Sequence, residues 1–245
     1  MKNIYQRDLF IGLSHRGNSK KFIENSLEAF NSAIQMGYKY IETDLRMTLD
    51  REVIAFHDPD LKRLFNLDLR IKDLTFNEIA NLFREKNCSL LTLEDALKEF
   101  PDIYFNIDLK VKEVIQDSIK VVTDLNAFNR VCFASFHSGY TEKVLQQNQN
   151  AIVSMGLKDV ALFKFFKAYD KNIKVLQIPL KWKGIKVLTR NLVEKAFKSN
   201  LLIHVWTIND RKTINNLIDI GVNGIVTDEP ELLMEIMKER NLISD

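Results

Sequence analysis

The sequence predicts an α/β fold, a (β/α)8 TIM barrel, on three observations. Short apolar runs alternate with helical patterns from one end to the other. Eight such units fit into 245 residues, close to the roughly 250 residues usual for this barrel. Polar residues gather at one end of the apolar runs, where a barrel of this type carries its chemistry. Strand–helix alternation with apolar strands implies a parallel sheet covered by helices. A doubly wound open sheet is the alternative, weakened because no Gly-x-Gly-x-x-Gly turn follows the first strand.

The predicted strands are 9–14, 39–46, 103–109, 130–136, 151–156, 173–179, 202–208 and 224–227. A further run at 52–57 follows the second strand too closely for a crossover, which needs about a dozen residues. It is therefore read as a hairpin-like excursion beyond strand two. The first helix is expected over 25–36, with Asn25 as N-cap and Glu28 completing a capping box, and Gly37 ending it. Its apolar positions Leu27, Phe30 and Ile34 share one face. Similar patterns fill 77–84, 92–100, 112–126, 138–149, 158–168, 189–199, 210–220 and 231–240. With no short-period repeat and no linker rich in Gly, Ser or Pro, residues 1–245 are expected to form one domain.

Composition narrows the function classes. Apolar residues at 46% and charged residues at 28% are those of an ordinary globular protein. A net charge of +2 calls for no nucleic-acid partner. Cys88 and Cys132 lie far apart and read as free thiols of a reducing compartment. The N-terminal stretch MKNIYQRDLFIGLS lacks the apolar core of a secretory leader, and no run approaches the roughly 18 apolar residues of a membrane span. The expected location is the cytoplasm.

Two histidines, of only four in the chain, bracket a carboxylate pair. His15 ends the first strand, Glu42 and Asp44 lie two apart near the end of the second, and His57 closes the excursion. Residues at i and i+2 of a strand point to one side, and burying two unpaired carboxylates is costly. Glu42, Asp44 and Asp108 are therefore candidate metal ligands, and hard oxygen donors suit Mg2+ or Ca2+. His15 and His57 are candidate general acid and base, since histidine titrates near neutrality. Arg16 and Lys110 stand beside the carboxylates and suit phosphate oxygens; their bland reading is neutralisation of those carboxylates. His137 reads as a rim or structural residue and His204 as a packed, hydrogen-bonded core residue. Residues 164–198 carry ten Lys or Arg against two acidic residues, with Phe165, Phe166, Trp182 and Phe197 among them. This segment reads as solvated helix faces, or as a face for an anionic membrane or substrate.

The motifs SHRG, IENSLEAFNSAIQMG, YIETDLRMTLDREVIAFHDPDLKRL, LLTLEDAL, FNIDLK, ASF, HVWTIND and GVNGIVTDEP occur in this order along nearly the whole chain. In these the chain resembles the glycerophosphodiester phosphodiesterase family, whose members are phosphatidylinositol phospholipase C-like TIM-barrel phosphodiesterases. The resemblance implies a barrel enzyme that hydrolyses glycerophosphodiesters to glycerol phosphate and an alcohol with a divalent metal. By position it makes His15 and His57 the acid–base pair, Glu42 and Asp44 metal ligands, Arg16 and Lys110 phosphate contacts, and Trp206 the aromatic beside the glycerol. The family's proline before helix one is Ile23 here, and its threonine is Ser26. Its usual Asp-Gly turn is Asp50–Arg51. Its third carboxylate, usually glutamate, is Asp108, as in the related spider-venom sphingomyelinase D enzymes. That departure keeps a second expectation open, a lysophospholipase D-like or sphingomyelinase D-like activity on lysophospholipids at a membrane surface. A non-catalytic binding module is the third reading, and the intact histidines and carboxylates count against it.

Overall fold

The structure is a computed structural model that describes residues 9–243. Residues 1–8, part of the stretch read above for a leader, and 244–245 lie outside the described residues. The elements in chain order are β1 (Ile11–His15), α1 (Leu27–Gln35), β2 (Tyr40–Met47), β3 (Val53–Ala55), α2 (Lys62–Phe65), α3 (Phe76–Glu85), α4 (Leu93–Glu99), β4 (Tyr104–Leu109) and α5 (Val114–Asp124). They continue with β5 (Val131–Ala134), α6 (Ser138–Gln147), β6 (Ile152–Val153), α7 (Leu157–Phe166), β7 (Val175–Pro179), β8 (Lys181–Trp182), β9 (Ile185–Lys186), α8 (Arg190–Lys198), β10 (Leu202–Trp206), α9 (Arg211–Asp219), β11 (Gly224–Thr227) and α10 (Pro230–Glu239).

Eight parallel strands run in the order β6-β5-β4-β2-β1-β11-β10-β7. The ring is nearly closed by a parallel bridge between Ser154 and Val175, where Met155 N donates to Val175 O at 2.9 Å. This is the predicted (β/α)8 barrel. The excursion is present too: β3 pairs antiparallel with the end of β2, Leu45 opposite Ala55.

Strand periodicity sorts the residues. Ile41 and Leu45 of β2 and Phe105, Ile107 and Leu109 of β4 face the helices and join one large apolar core with Phe30. The alternate residues Glu42, Asp44 and Asp108 turn inward and line an interior cavity. At the opposite end the interior is filled by apolar side chains: Leu13, Tyr40 and Val226 cluster together, as do Cys132, Ile152, Val175 and Leu202. The Tyr40 and Tyr104 rings stack at 5.0 Å. Such filling makes the barrel a packed core and leaves only the carboxyl ends of the strands open.

Two details differ from expectation. Asn25 is not the N-cap of α1: Ser26 is, its hydroxyl accepting from Ala29 N at 3.1 Å. Asn25 instead takes a left-handed φ of 61° and is buried against β2. Glu28, read as the other half of the capping box, accepts from Ser89 N and Oγ and ties α1 to the loop before α4. The hairpin β8–β9 was not foreseen. Its strands are two residues each, too short to show a period, and its turn residues are Lys183 and Gly184 with positive φ.

Candidate active site

Strand register builds the site. His15 lies opposite Glu42 across β1–β2, and Asp44 lies opposite Asp108 across β2–β4. Neighbouring strands are about 4.8 Å apart, so these side chains are forced together. All eight predicted site residues, His15, Arg16, Glu42, Asp44, His57, Asp108, Lys110 and Trp206, line one cavity of about 510 Å3. Its floor is polar. Its mouth is apolar, with Phe136, Leu157, Phe165, Trp182 and Ile185 among the lining residues.

The chain leaves β1 by a sharp turn that aims Arg16 inward. Arg16 holds a left-handed φ of 58°, fixed by its N–H on Glu42 O at 2.8 Å and by Asn25 N–H on its own carbonyl at 2.9 Å. Gly17 follows with φ 76°, and a Cβ there would lie 2.6 Å from the Ala29 backbone. Only glycine lets the turn pack so closely on α1.

The buried Asp44 carboxylate is the hub. It pairs with Arg16 Nε at 2.9 Å and with Lys110 Nζ at 2.9 Å. It also accepts from Asn25 Nδ2 at 3.2 Å, and Thr43 Oγ1 donates to Asn25 Oδ1 at 2.8 Å. Burial opposes its charge, but Lys110 and Arg16 outweigh burial and hold the carboxyl well below its ordinary range. Lys110 also bonds Asp108 Oδ2 at 2.6 Å.

Each histidine is held through Nδ1 by a carboxylate. His15 Nδ1 meets Asp228 Oδ1 at 2.5 Å, and Asn209 Nδ2 donates to the other Asp228 oxygen at 2.9 Å. His57 Nδ1 meets Asp58 Oδ1 at 2.6 Å, and Arg46 Nε donates to the His57 carbonyl at 2.6 Å. Ionised carboxylates at Nδ1 place the mobile proton position at Nε2. For His15, burial disfavours the charged form, but Glu42 and the Asp228 bond more than offset it, so its pKa is raised. For His57, burial prevails, with Arg16 and Lys110 adding to it against Asp44, and its pKa is lowered.

A link joins both halves of the site. Arg63 of α2 donates to Asp58 Oδ2 at 2.6 Å and to both Glu24 oxygens at 2.8 and 2.6 Å. Glu24 in turn accepts from Arg16 Nη1 at 2.9 Å. Asp58 and Glu24 sit in recognisable motifs, whereas nothing in the sequence marks Arg63, which comes from the excursion. Of the other two histidines, His137 precedes α6 with its ring 4.9 Å from Tyr140, and His204 is fully buried. Trp206 stands at the cavity wall, its ring edge-to-face with Phe136 at 5.5 Å.

The donor set suits a hard cation at two of its three predicted ligands. Glu42 Oε2 and Asp108 Oδ1 are buried with no hydrogen-bond partner. Burial, with Asp44 nearby, pushes the Glu42 carboxyl up to about 8, and burial raises Asp108 as well. Buried carboxylate oxygens without a hydrogen-bond donor are costly, and a divalent ion would satisfy them, although His15 Nε2 stands 3.6 Å from Glu42 Oε2 and Lys110 holds the other Asp108 oxygen. Asp44 is already engaged by Lys110 and Arg16. Among the described residues no group of three or more His, Cys, Asp or Glu converges as ready-made metal ligands.

A barrel whose open end carries buffered histidines beside two cations and buried carboxylates has the equipment of a phosphoric-ester hydrolase. The chain belongs to the glycerophosphoryl diester phosphodiesterase family, whose model matches residues 15–232. A probable glycerophosphodiester phosphodiesterase 2 of Mycobacterium tuberculosis is 29% identical over 241 residues, covering 94% of this chain and 91% of the relative. The fold is shared with a crystal structure of a glycerophosphodiester phosphodiesterase from Thermotoga maritima, at TM-score 0.75 and 26% identity over 94% of this chain and 100% of that one. It is also shared with an Oleispira antarctica phosphodiesterase solved with its product sn-glycerol-3-phosphate, at TM-score 0.77 and 18% identity over 94% and 97% of the two chains. The enzyme class expected from the sequence, a phosphoric diester hydrolase of the glycerophosphodiester type, is that of the family.

Proposed function

We propose that this barrel domain is a divalent-metal-dependent glycerophosphodiesterase that cleaves glycerophosphodiesters to glycerol phosphate and an alcohol with His15 and His57 as its proton-transfer pair. The observation that carries the reading is the matched arrangement of the two histidines. Each has Nδ1 on a carboxylate at 2.5 to 2.6 Å, and both line the cavity that holds Arg16 and Lys110.

The phosphate of the substrate binds against Arg16 and Lys110, and the glycerol carbons lie along Trp206. His57, held neutral by its surroundings, takes the proton from the attacking oxygen, which is water or the substrate's own glycerol hydroxyl. That oxygen bonds to phosphorus as the bond to the departing alcohol breaks. His15, whose charged form is favoured, gives the departing oxygen its proton. Arg16 and Lys110 stabilise the charge gathering on the non-bridging oxygens. Glu42 and Asp108, with Asp44 behind them, would hold Mg2+ or Ca2+. When bound, that ion draws charge from the phosphate oxygens and lowers the pKa of a hydroxyl or water. Cys88 and Cys132, buried and outside any disulfide, suit the cytoplasmic location inferred from the sequence.

The lysophospholipid alternative is not favoured, because the family match and the 29% identical relative both bear the glycerophosphodiester name. Hydrolysis of glycerophosphocholine with Mg2+ or Ca2+, followed for glycerol phosphate and for a cyclic phosphate, tests the reading. No turnover with either metal sinks it, and a cyclic product identifies the glycerol hydroxyl as the attacking group.

A further inference from the structure

The mouth of the cavity is built differently from its floor. Helix α7 and the hairpin β8–β9 both follow strands at the open end of the barrel and both line the mouth. They are strapped together: Lys164 Nζ donates to the carbonyls of Lys186 and Val187 at 2.8 and 3.2 Å. On this rim Phe165, Phe166 and Ile185 are 70%, 77% and 69% exposed. Together with Leu157 and Phe136 they make five of the ten exposed large hydrophobic side chains among the described residues. Half the exposed apolar bulk thus sits around one opening, and such concentration marks an interaction surface.

The same rim is basic. Helix α7, the residue after it and the hairpin carry six lysines, Lys158, Lys164, Lys167, Lys181, Lys183 and Lys186, against one acid, Asp159, while the whole chain balances 35 cations with 33 acids. In the hairpin, Trp182 is paired with Ile185 and Lys181 with Lys186. Paired residues share a side of the ribbon and the next pair takes the other. One side is therefore aromatic and aliphatic, turned to the cavity mouth, and the other is lysine. Lys183 at the hairpin tip and Lys167 after α7 are exposed beside them.

We infer that this rim docks on the surface of an anionic lipid bilayer, with Phe165, Phe166 and Ile185 entering the interface and Lys167, Lys181, Lys183 and Lys186 meeting the headgroups. Charge complementarity selects that occupant. A bilayer offers apolar depth and negative charge in the layered order that the rim presents. A second copy of the chain would bring like-charged lysines against each other. The cavity mouth then opens toward the membrane. The inference stands apart from the catalytic reading, because docking is measured without substrate.

The test is co-sedimentation of the full chain with vesicles of phosphatidylcholine alone and of phosphatidylcholine mixed with phosphatidylglycerol, at low and high salt. The expected result is binding to the anionic vesicles at low salt, weakened by salt. Lys183→Glu lowers the affinity at least about five-fold, the worth of one basic residue at such a surface. Phe166→Ser lowers it about ten-fold through lost apolar burial. Neither residue lines the cavity, so hydrolysis of water-soluble glycerophosphocholine stays at the parent rate in both variants. The inference is overturned by no binding to anionic vesicles at low salt, or by parent-like binding of the double variant. It is equally overturned by light scattering that shows self-association abolished by the same substitutions.

Discussion

Arg63 gives the sharpest test of how the site is held. It makes three charge-assisted bonds, to Asp58 and to both oxygens of Glu24. Those carboxylates are 16% and 10% exposed, while Arg63 itself is 47% exposed. Buried bonds of this kind are worth about 1.5–3 kcal/mol each, but half-exposure reduces each to a fraction of that. Arg63→Ala should therefore destabilise the fold by only about 1–2 kcal/mol. The effect on turnover should be larger. The His57 ring is oriented through Asp58 and the Arg16 guanidinium through Glu24, and one change loosens both. Misplacing reacting groups by about 1 Å costs on the order of 100-fold, so kcat/KM is expected to fall about 10–100-fold, mostly in kcat. Arg63→Lys keeps the charge but not the fork and should fall in between. A cycle with Glu24→Gln should show clear non-additivity. The assay is steady-state hydrolysis of glycerophosphocholine, with thermal melts to measure folding. An Arg63→Ala enzyme within two-fold of the parent, or one whose loss matches its loss of folded protein, would show that Arg63 does not position His57 and Arg16.

Three further outcomes are expected. Asp228→Asn keeps an oxygen near His15 Nδ1 but removes its charge, so the His15 pKa falls; the alkaline limb of the pH–rate profile moves to lower pH and kcat drops about ten-fold or more. In chelator-treated protein, Glu42 carries a folded-state pKa pushed up to about 8 from an ordinary 4.5. Its contribution is complete below about pH 4.5 and is lost as pH rises through 8; the melting temperature should decline across that window, Glu42→Gln should flatten the decline, and added Mg2+ or Ca2+ should restore stability most at the alkaline end. Gly17→Ala must place a Cβ 2.6 Å from the Ala29 backbone at a φ of 76°; a loss of about 2 kcal/mol or more, read as a fall of about 4–8 °C in melting temperature, is expected by calorimetry.

The barrel was legible because its strands carry a period that survives without tertiary information. Ile41, Thr43 and Leu45 alternate with Glu42 and Asp44, and the costly members of that alternation announce the site. The order of the strands around the ring follows from right-handed crossovers. The supports were harder to read. Asn25 and Ser26 are both good capping residues, and the Glu28 spacing favoured Asn25. The buried demand of Asp44 for a donor placed Asn25 elsewhere and left the cap to Ser26. Arg63 carries no signal, because an exposed arginine on a four-residue helix gains its role only when the excursion folds back over Glu24. The metal site was only partly legible in the structure too: Glu42 and Asp108 leave oxygens open, while Lys110 spans Asp44 and Asp108.

The most direct test of the central claim is the rate of glycerol phosphate release from glycerophosphocholine by the parent, His15→Ala and His57→Ala proteins with saturating divalent metal. The parent is expected to turn over and each variant to lose at least about 100-fold, the share that a positioned acid or base contributes. Full activity in either folded variant contradicts the claim.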